Sequence, residues 1–291
     1  MAGMNDLLDA IDALPGLPDT AARLIAALHD DTTAPQEIVQ IMRYDEALTS
    51  LVLRLGNSVE YGRPGRIFNL EESISRLGRM RVLQACLQMQ VSGLLDAAGE
   101  SFGLRRGAIR RSAVGGAVIA DELARARDDV AADEAFLGGL LRDIGKLVLD
   151  YRYGEQYIRS LAPHLRAGQN VMWAERAAFG FDHAQVGEAL GRAWHLPDRL
   201  ASAIGCHHDP PAGASEHDPL FDVIHAADVI CLWAGLGVGD DGLAYPLSPH
   251  VRDGLRIDRS LAEALMMSAW THVRQLDNIG NGSETAQEQI L

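Results

Sequence analysis

Asp143, His183, the consecutive pair His207 and His208, and Asp228 follow one another along the chain in an order that suits a metal site of oxygen and nitrogen donors. Carboxylates and imidazoles are the side chains that hold iron, manganese or zinc, and a metal so held activates water for attack on an ester. The plainer reading is that ten histidines among 291 residues will often fall near helix ends, where they meet terminal carbonyls. Lys146 is a further pointer, since it is the one lysine among 26 basic residues. It lies in the run LLRDIGKLVLD (140–150), where a lone ammonium is a pointed exception. Against that stands a lysine near a helix C-terminus, answering the dipole. Arg142, immediately before Asp143, is the discordant member, because a guanidinium has no lone pair to offer a metal.

Helices must position these side chains. Apolar residues recur at helical spacing and strand alternation is almost absent, so the chain reads as all-α. Thr33-x-x-Gln36 resembles a capping box ahead of Ile38, Val39, Ile41 and Met42. Asp45 reads as the N-cap of a helix carrying Leu48, Leu51, Val52 and Leu55 and ended by Gly56, Asn57 and Ser58; Asn69 and Glu72 open another that Gly78 closes. The spacing predicts further helices near 108–127, 133–150, 153–166, 170–179, 183–194, 198–208, 219–235 and 259–276. Residues 61–68 read as a loop and 94–107 as a boundary between an N-terminal helical subdomain (1–100) and a second one (101–277), with 278–291 as a flexible tail. Phe136, Leu140, Asp143 and Leu147 share one helical stripe, and Asp228 aligns with Phe221, Ile224, Cys231 and Leu232. Two carboxylates on apolar stripes require cations, metals or donors, since an unpaired buried charge costs several kcal/mol.

Composition narrows the classes. A hydrophobic content of 47% over 291 residues supports a substantial core. The net charge of -14 argues against general nucleic-acid binding, which needs accumulated Lys and Arg. Asp6, Asp9 and Asp12 stand where a signal peptide needs basic and then apolar residues, and no run approaches the roughly 18 apolar residues of a membrane span, so the expectation is a cytoplasmic protein with no membrane partner. Cys86, Cys206 and Cys231 are too few and too far apart for a disulfide framework.

The segments LPGLPDTAARLIAAL, IMRYDEALTSLVLRLGNS, LEESISRLG, LGGLLRDIGKLVL, FGFDHAQVGEALGRAWHLP and AIGCHH together resemble the HD superfamily of metal-dependent phosphohydrolases, and more closely its bacterial HDOD domains, the HD-related output domains of signal transduction. The resemblance covers roughly residues 7–275 and implies a multi-helix fold with an HD-like helical core. It implies that catalytic relatives hold metal with an early His, a His-Asp pair and a distant Asp, and that the branch cleaving cyclic dinucleotides, HD-GYP, adds histidines like His183, His207 and His208. Carried onto this chain, the Asp of the pair is Asp143 and the distant Asp is Asp228, in IHAADVI. The two remaining histidines are replaced, by Arg142 and by Arg111, and the GxGYP segment is absent.

The substitutions have a physical direction. Near 4 Å and an effective dielectric of 20, a unit-charge pair is worth about 4 kcal/mol, unfavourable between an arginine and a dication but favourable between an arginine and a carboxylate. The expectation is therefore a degenerate site in which Arg111 and Arg142 pair with Asp143 and Asp228 and no cofactor is required, although the sequence leaves open whether Arg142 points inward. On this expectation the chain is a non-catalytic signalling output or scaffold protein that meets other signalling proteins in trans, with a homodimer left open. Two alternatives stay open: a binder of a nucleotide or phosphorylated small molecule through Arg111, Arg142, Lys146 and the histidines, and a residual phosphohydrolase with iron, manganese or zinc on Asp143, His183, His207, His208 and Asp228, assisted by Lys146.

Overall fold

The computed structural model describes residues 107–213, 217–236 and 246–288 without a break, together with residues 23–24, 27, 32–43, 45–57, 67, 69–79, 81–86 and 89; its side chains are described up to residue 274. Thirteen helices and no strand lie among the described residues, as the apolar spacing predicts. The loop expected over 61–68 and the boundary expected over 94–107 fall almost wholly outside them.

Helices α1 (Pro35–Met42), α2 (Glu46–Gly56) and α3 (Leu70–Leu77) form the N-terminal part. The Asp45 carboxylate accepts from Leu48 N–H and the Asn69 side chain from Glu72 N–H, while Gly78 closes α3 at φ 81°. The box expected at Thr33 does not form: α1 starts at Pro35 behind Ala34, and Gln36 reaches Glu71 instead. Asn57 does more than end α2. Its side chain donates to the Ile67 carbonyl at 2.9 Å and accepts from the Ile67 N–H at 2.8 Å, so one amide pins the incoming chain as a neighbouring strand would.

The remaining helices are α4 (Ala108–Arg125), α5 (Ala132–Leu141), α6 (Ile144–Tyr153), α7 (Gln156–Arg166), α8 (Val171–Phe179), α9 (His183–Ala193), α10 (Asp198–Cys206), α11 (Pro219–Trp233), α12 (Pro249–Gly254) and α13 (Arg259–Glu288). One apolar core runs from Leu24 through Val273. Helix α4 lies at its centre, packed against α5, α11 and α13, and α9 packs against α6 and α10. Glycines set the closest approaches. A Cβ on Gly139 would stand 2.5 Å from the Gly116 carbonyl oxygen, and one on Gly145 2.0 Å from that of His183. Bare backbone at these points lets α5 lie directly on α4 and α6 on the start of α9.

One expectation is corrected. The helix expected over 133–150 is two helices: Asp143 takes φ -96°, ψ 10°, and the Lys146 N–H bonds to the Asp143 carbonyl at 2.9 Å, an i to i+3 closure that restarts the chain as α6. Asp143 therefore sits at a corner and does not continue the stripe of Phe136 and Leu140. The last helix runs to Glu288. Among the described residues no helix is long and apolar enough to cross a membrane.

Candidate functional site

The corner between α5 and α6 aims Arg142 and Asp143 into the core, where they meet α4, α9, α10 and α11. Arg142 is 1% exposed, and its direction, open in the sequence, is inward. Four N–H groups of its guanidinium have hydrogen-bond acceptors. Nε donates to Asp228 Oδ1 at 2.7 Å; Nη1 donates to the Gly139 carbonyl at 2.7 Å and the Ser112 carbonyl at 3.1 Å. Nη2 donates to Ser112 Oγ at 2.7 Å and stands 3.5 Å from Asp143 Oδ2. Gly116 makes the space, since a Cβ there would lie 2.2 Å from Nη1. Burial opposes the charge, but Asp143 and Asp228 outweigh it and hold the guanidinium above its ordinary value. Ser112 is the α4 residue whose side chain meets Arg142; Arg111, one position earlier, is half-buried.

Lys146 is buried, with Nζ 3.0 Å from Asp143 Oδ1. The break at Asp143 puts this lysine in the first turn of α6, so the C-terminal dipole account does not apply, and the carboxylate is what holds it. Burial would raise the Asp143 pKa, yet Lys146 and Arg142 more than offset it and keep the group well below the usual carboxylate range.

The histidines converge from two helices. His183 opens α9 behind Asp182, whose capping box with Gln185 forms as a complete pair. Helix α10 ends at Cys206, and the chain then turns through His207 and His208. One ring nitrogen from each of His183, His207 and His208 lies within 4.8 Å of the others, and all three residues are buried. His207 Nδ1 donates to the Ile204 carbonyl at 2.6 Å, which leaves Nε2 as a lone-pair donor; that nitrogen is buried and has no hydrogen-bond partner. His183 Nε2 is 2.7 Å from His208 Nε2 and 3.7 Å from Asp143 Oδ1, and His208 Nδ1 is 3.4 Å from Asp228 Oδ2. Burial pushes His207 down to about 4 and His208 well below its ordinary value. His183 goes the other way, because the Glu175 carboxylate overcomes its burial and lifts it to about 9. Beside them His225 donates from Nδ1 to the His207 carbonyl at 2.8 Å and accepts at Nε2 from Ser248 N–H at 3.1 Å, so it is neutral and braces the turn.

Glu175 and Tyr157, like Ser112 and His225, were not found by sequence reasoning. Glu175 on α8 is 0% exposed, and its Oε2 accepts from the His183 backbone N–H at 2.9 Å and from His183 Nδ1 at 2.7 Å. Its Oε1 accepts from the Tyr157 hydroxyl. The signal was present: Val171, Glu175 and Phe179 lie at i, i+4 and i+8, a carboxylate on an apolar stripe like Asp228.

The three imidazoles fit one divalent transition metal by donor type and convergence. The fit needs a small opening. Two nitrogens on a tetrahedral zinc stand about 3.3 Å apart given bonds of 2.0–2.1 Å, whereas the His183 and His208 nitrogens at 2.7 Å are spaced for a shared proton. Charge is balanced without a metal: Arg142, Lys146 and protonated His183 face Asp143, Asp228 and Glu175.

The same arrangement of segments recurs in known proteins. An uncharacterized protein of Treponema pallidum (strain Nichols) is 27% identical over 232 residues, covering 77% of this chain and 43% of its own, so this chain spans less than half of that relative. The crystal structure of an HDOD domain protein with unknown function from Geobacter sulfurreducens is similar with a TM-score of 0.65 at 23% identity, over 91% of this chain and 86% of the other. A chain provisionally named a signal transduction protein, from Marinobacter aquaeolei VT8, gives a TM-score of 0.64 at 21% identity, over 95% of this chain and 65% of the other. At such identities these two structures share the fold. The HDOD domain family itself matches residues 14–210, which spans the corner at Arg142, the Glu175–His183 pair and the turn at His207 and His208. The chain belongs to the HDOD domain family.

Proposed function

We propose that this chain is a non-catalytic output module of signal transduction, acting by binding other signalling proteins, and that an ion-pair network has replaced the metal of an HD-type site. One observation carries this reading: the Arg142 guanidinium, buried and held by four hydrogen bonds, lies against both aspartates that would otherwise serve a metal. A dication beside it would meet a fixed positive charge and a carboxylate already engaged at Oδ1. The name given to the Marinobacter aquaeolei protein accords with a signalling role. Arg142 spends four of its N–H groups inside the protein, and Lys146 is engaged by Asp143, so a phosphorylated ligand finds little support at this depth. The test is metal analysis of the purified chain together with hydrolysis of nucleotides and cyclic dinucleotides in added Mn2+, Fe2+ or Zn2+. No turnover is expected; metal-dependent hydrolysis that disappears in Asp143→Ala overturns the proposal.

A second reading is favoured by the orphaned His207 Nε2: the three imidazoles take up one metal ion without turnover, as a structural or sensing element. Stoichiometric zinc lost in His207→Ala, with no hydrolysis, is the outcome that selects it.

A further inference from the structure

Glu175 does not face the point where the imidazoles meet, yet three donors end on it. The His183 N–H and Nδ1 both bond to Oε2, at 2.9 and 2.7 Å, and the Tyr157 hydroxyl donates to Oε1. These residues come from three successive helices, α7, α8 and α9. The Tyr157 ring is itself held, stacked on Phe179 with centroids 5.8 Å apart and 1% exposed. We infer that Glu175, braced by Tyr157, is the positioning residue of His183: it keeps a proton on Nδ1 and turns Nε2 toward the nitrogens of His207 and His208. The consequence for metal affinity rests on the three-imidazole reading above; the orientation of the ring does not.

Helix capping is the competing account, and it leaves too much unexplained. Asp182 already caps α9, accepting from Gln185 N–H at 2.8 Å while the Gln185 side chain accepts from Asp182 N–H. A second carboxylate is not needed for that, and burying one is costly unless a cation or several donors meet it. Taking the backbone N–H and ring nitrogen of the same histidine on one oxygen fixes both where the side chain leaves the helix and which edge of the ring turns outward. A carboxylate behind an imidazole also raises the basicity of the opposite nitrogen, and loss of such a partner costs 10- to 100-fold in metal affinity.

The experiment titrates the full-length protein with Zn2+ against a chromophoric chelator and, separately, follows the histidine ring nitrogens of the metal-free, 15N-labelled protein by NMR. Zinc binding is expected to vanish in His183→Ala, to weaken by about 10- to 100-fold in Glu175→Gln, and to weaken less in Tyr157→Phe. In the metal-free protein His183 should carry a slowly exchanging Nδ1 proton that Glu175→Gln exposes to rapid exchange. Zinc bound by Glu175→Gln as tightly as by the native chain, while His183→Ala has lost it, reduces Glu175 to a cap and overturns the inference. Equal zinc binding by native protein and His183→Ala sinks the three-imidazole reading alone, and the NMR then decides: a bare Nδ1 on native His183 overturns the positioning role. If Glu175→Gln does not fold, Tyr157→Phe replaces it, and an unchanged affinity with an unchanged Nδ1 exchange rate overturns the brace.

Discussion

At the scale of single residues the site turns on Arg142. Removing one partner of a buried pair leaves the other charge uncompensated and costs about 3–5 kcal/mol. Arg142→Met, which keeps much of the volume, is accordingly expected to lower stability by that amount, read as the midpoint of urea unfolding. Arg142→Met with Asp228→Asn should recover part of the loss, because no lone carboxylate then remains. An unchanged midpoint in the single variant would show that the Arg142–Asp228 contact of 2.7 Å does not persist in solution. The aspartates, the histidines and the missing imidazole at position 142 were legible in the sequence. The part of Ser112 was not, since adjacent residues on α4 point about 100° apart and only packing fixes the phase.

At the scale of elements, periodicity located most helices, and capping residues such as Asp45, Asn69 and Asp182 set their starts. It missed the break between α5 and α6, because apolar residues continue through it and no Pro marks it. What the break serves is visible in the contacts: α6 must lie flat on the first turn of α9. Gly145 makes that possible, so Gly145→Ala forces a Cβ toward the His183 carbonyl, 2.0 Å away, against backbone that cannot swing aside. Overpacking of this kind costs about 1–3 kcal/mol or more. The expected result is a lower thermal midpoint, with Gly168→Ala not serving as a control, since Gly168 sits at φ 79°; Gly254, with open space around it and no positive φ, does. A Gly145→Ala protein as stable as the Gly254→Ala control would refute the close approach.

At the scale of the whole molecule, buried titrating groups set the pH profile. His183 is raised to about 9, so its contribution is fully present below the unfolded value near 6.5 and is lost as pH rises through 9. His207 is lowered to about 4, and His208 and His225 are lowered too, so between 6.5 and 4 the unfolded chain takes up protons that the native one refuses. Asp143, held low, adds a further loss as pH falls below the ordinary carboxylate value. Stability should therefore peak near neutrality. Between pH 7 and 8, below the range where the raised thiols of Cys86, Cys206 and Cys231 begin to count, the limb belongs to His183: a urea midpoint flat over that interval, or one that falls equally in His183→Gln, would show that the Glu175 pair is not formed.

The notch at Gly116 bears on substitution as well as on packing. An imidazole at position 142 would leave that notch empty and take the guanidinium donor from the Gly139 carbonyl, at about 1–3 kcal/mol if that buried group is left unsatisfied, while the Ser112 carbonyl keeps the Cys231 thiol. Three neighbours fit a guanidinium. Arg142→His is therefore expected to yield a less stable protein, and the residues around the arginine hold that position to a guanidinium as firmly as the two aspartates do.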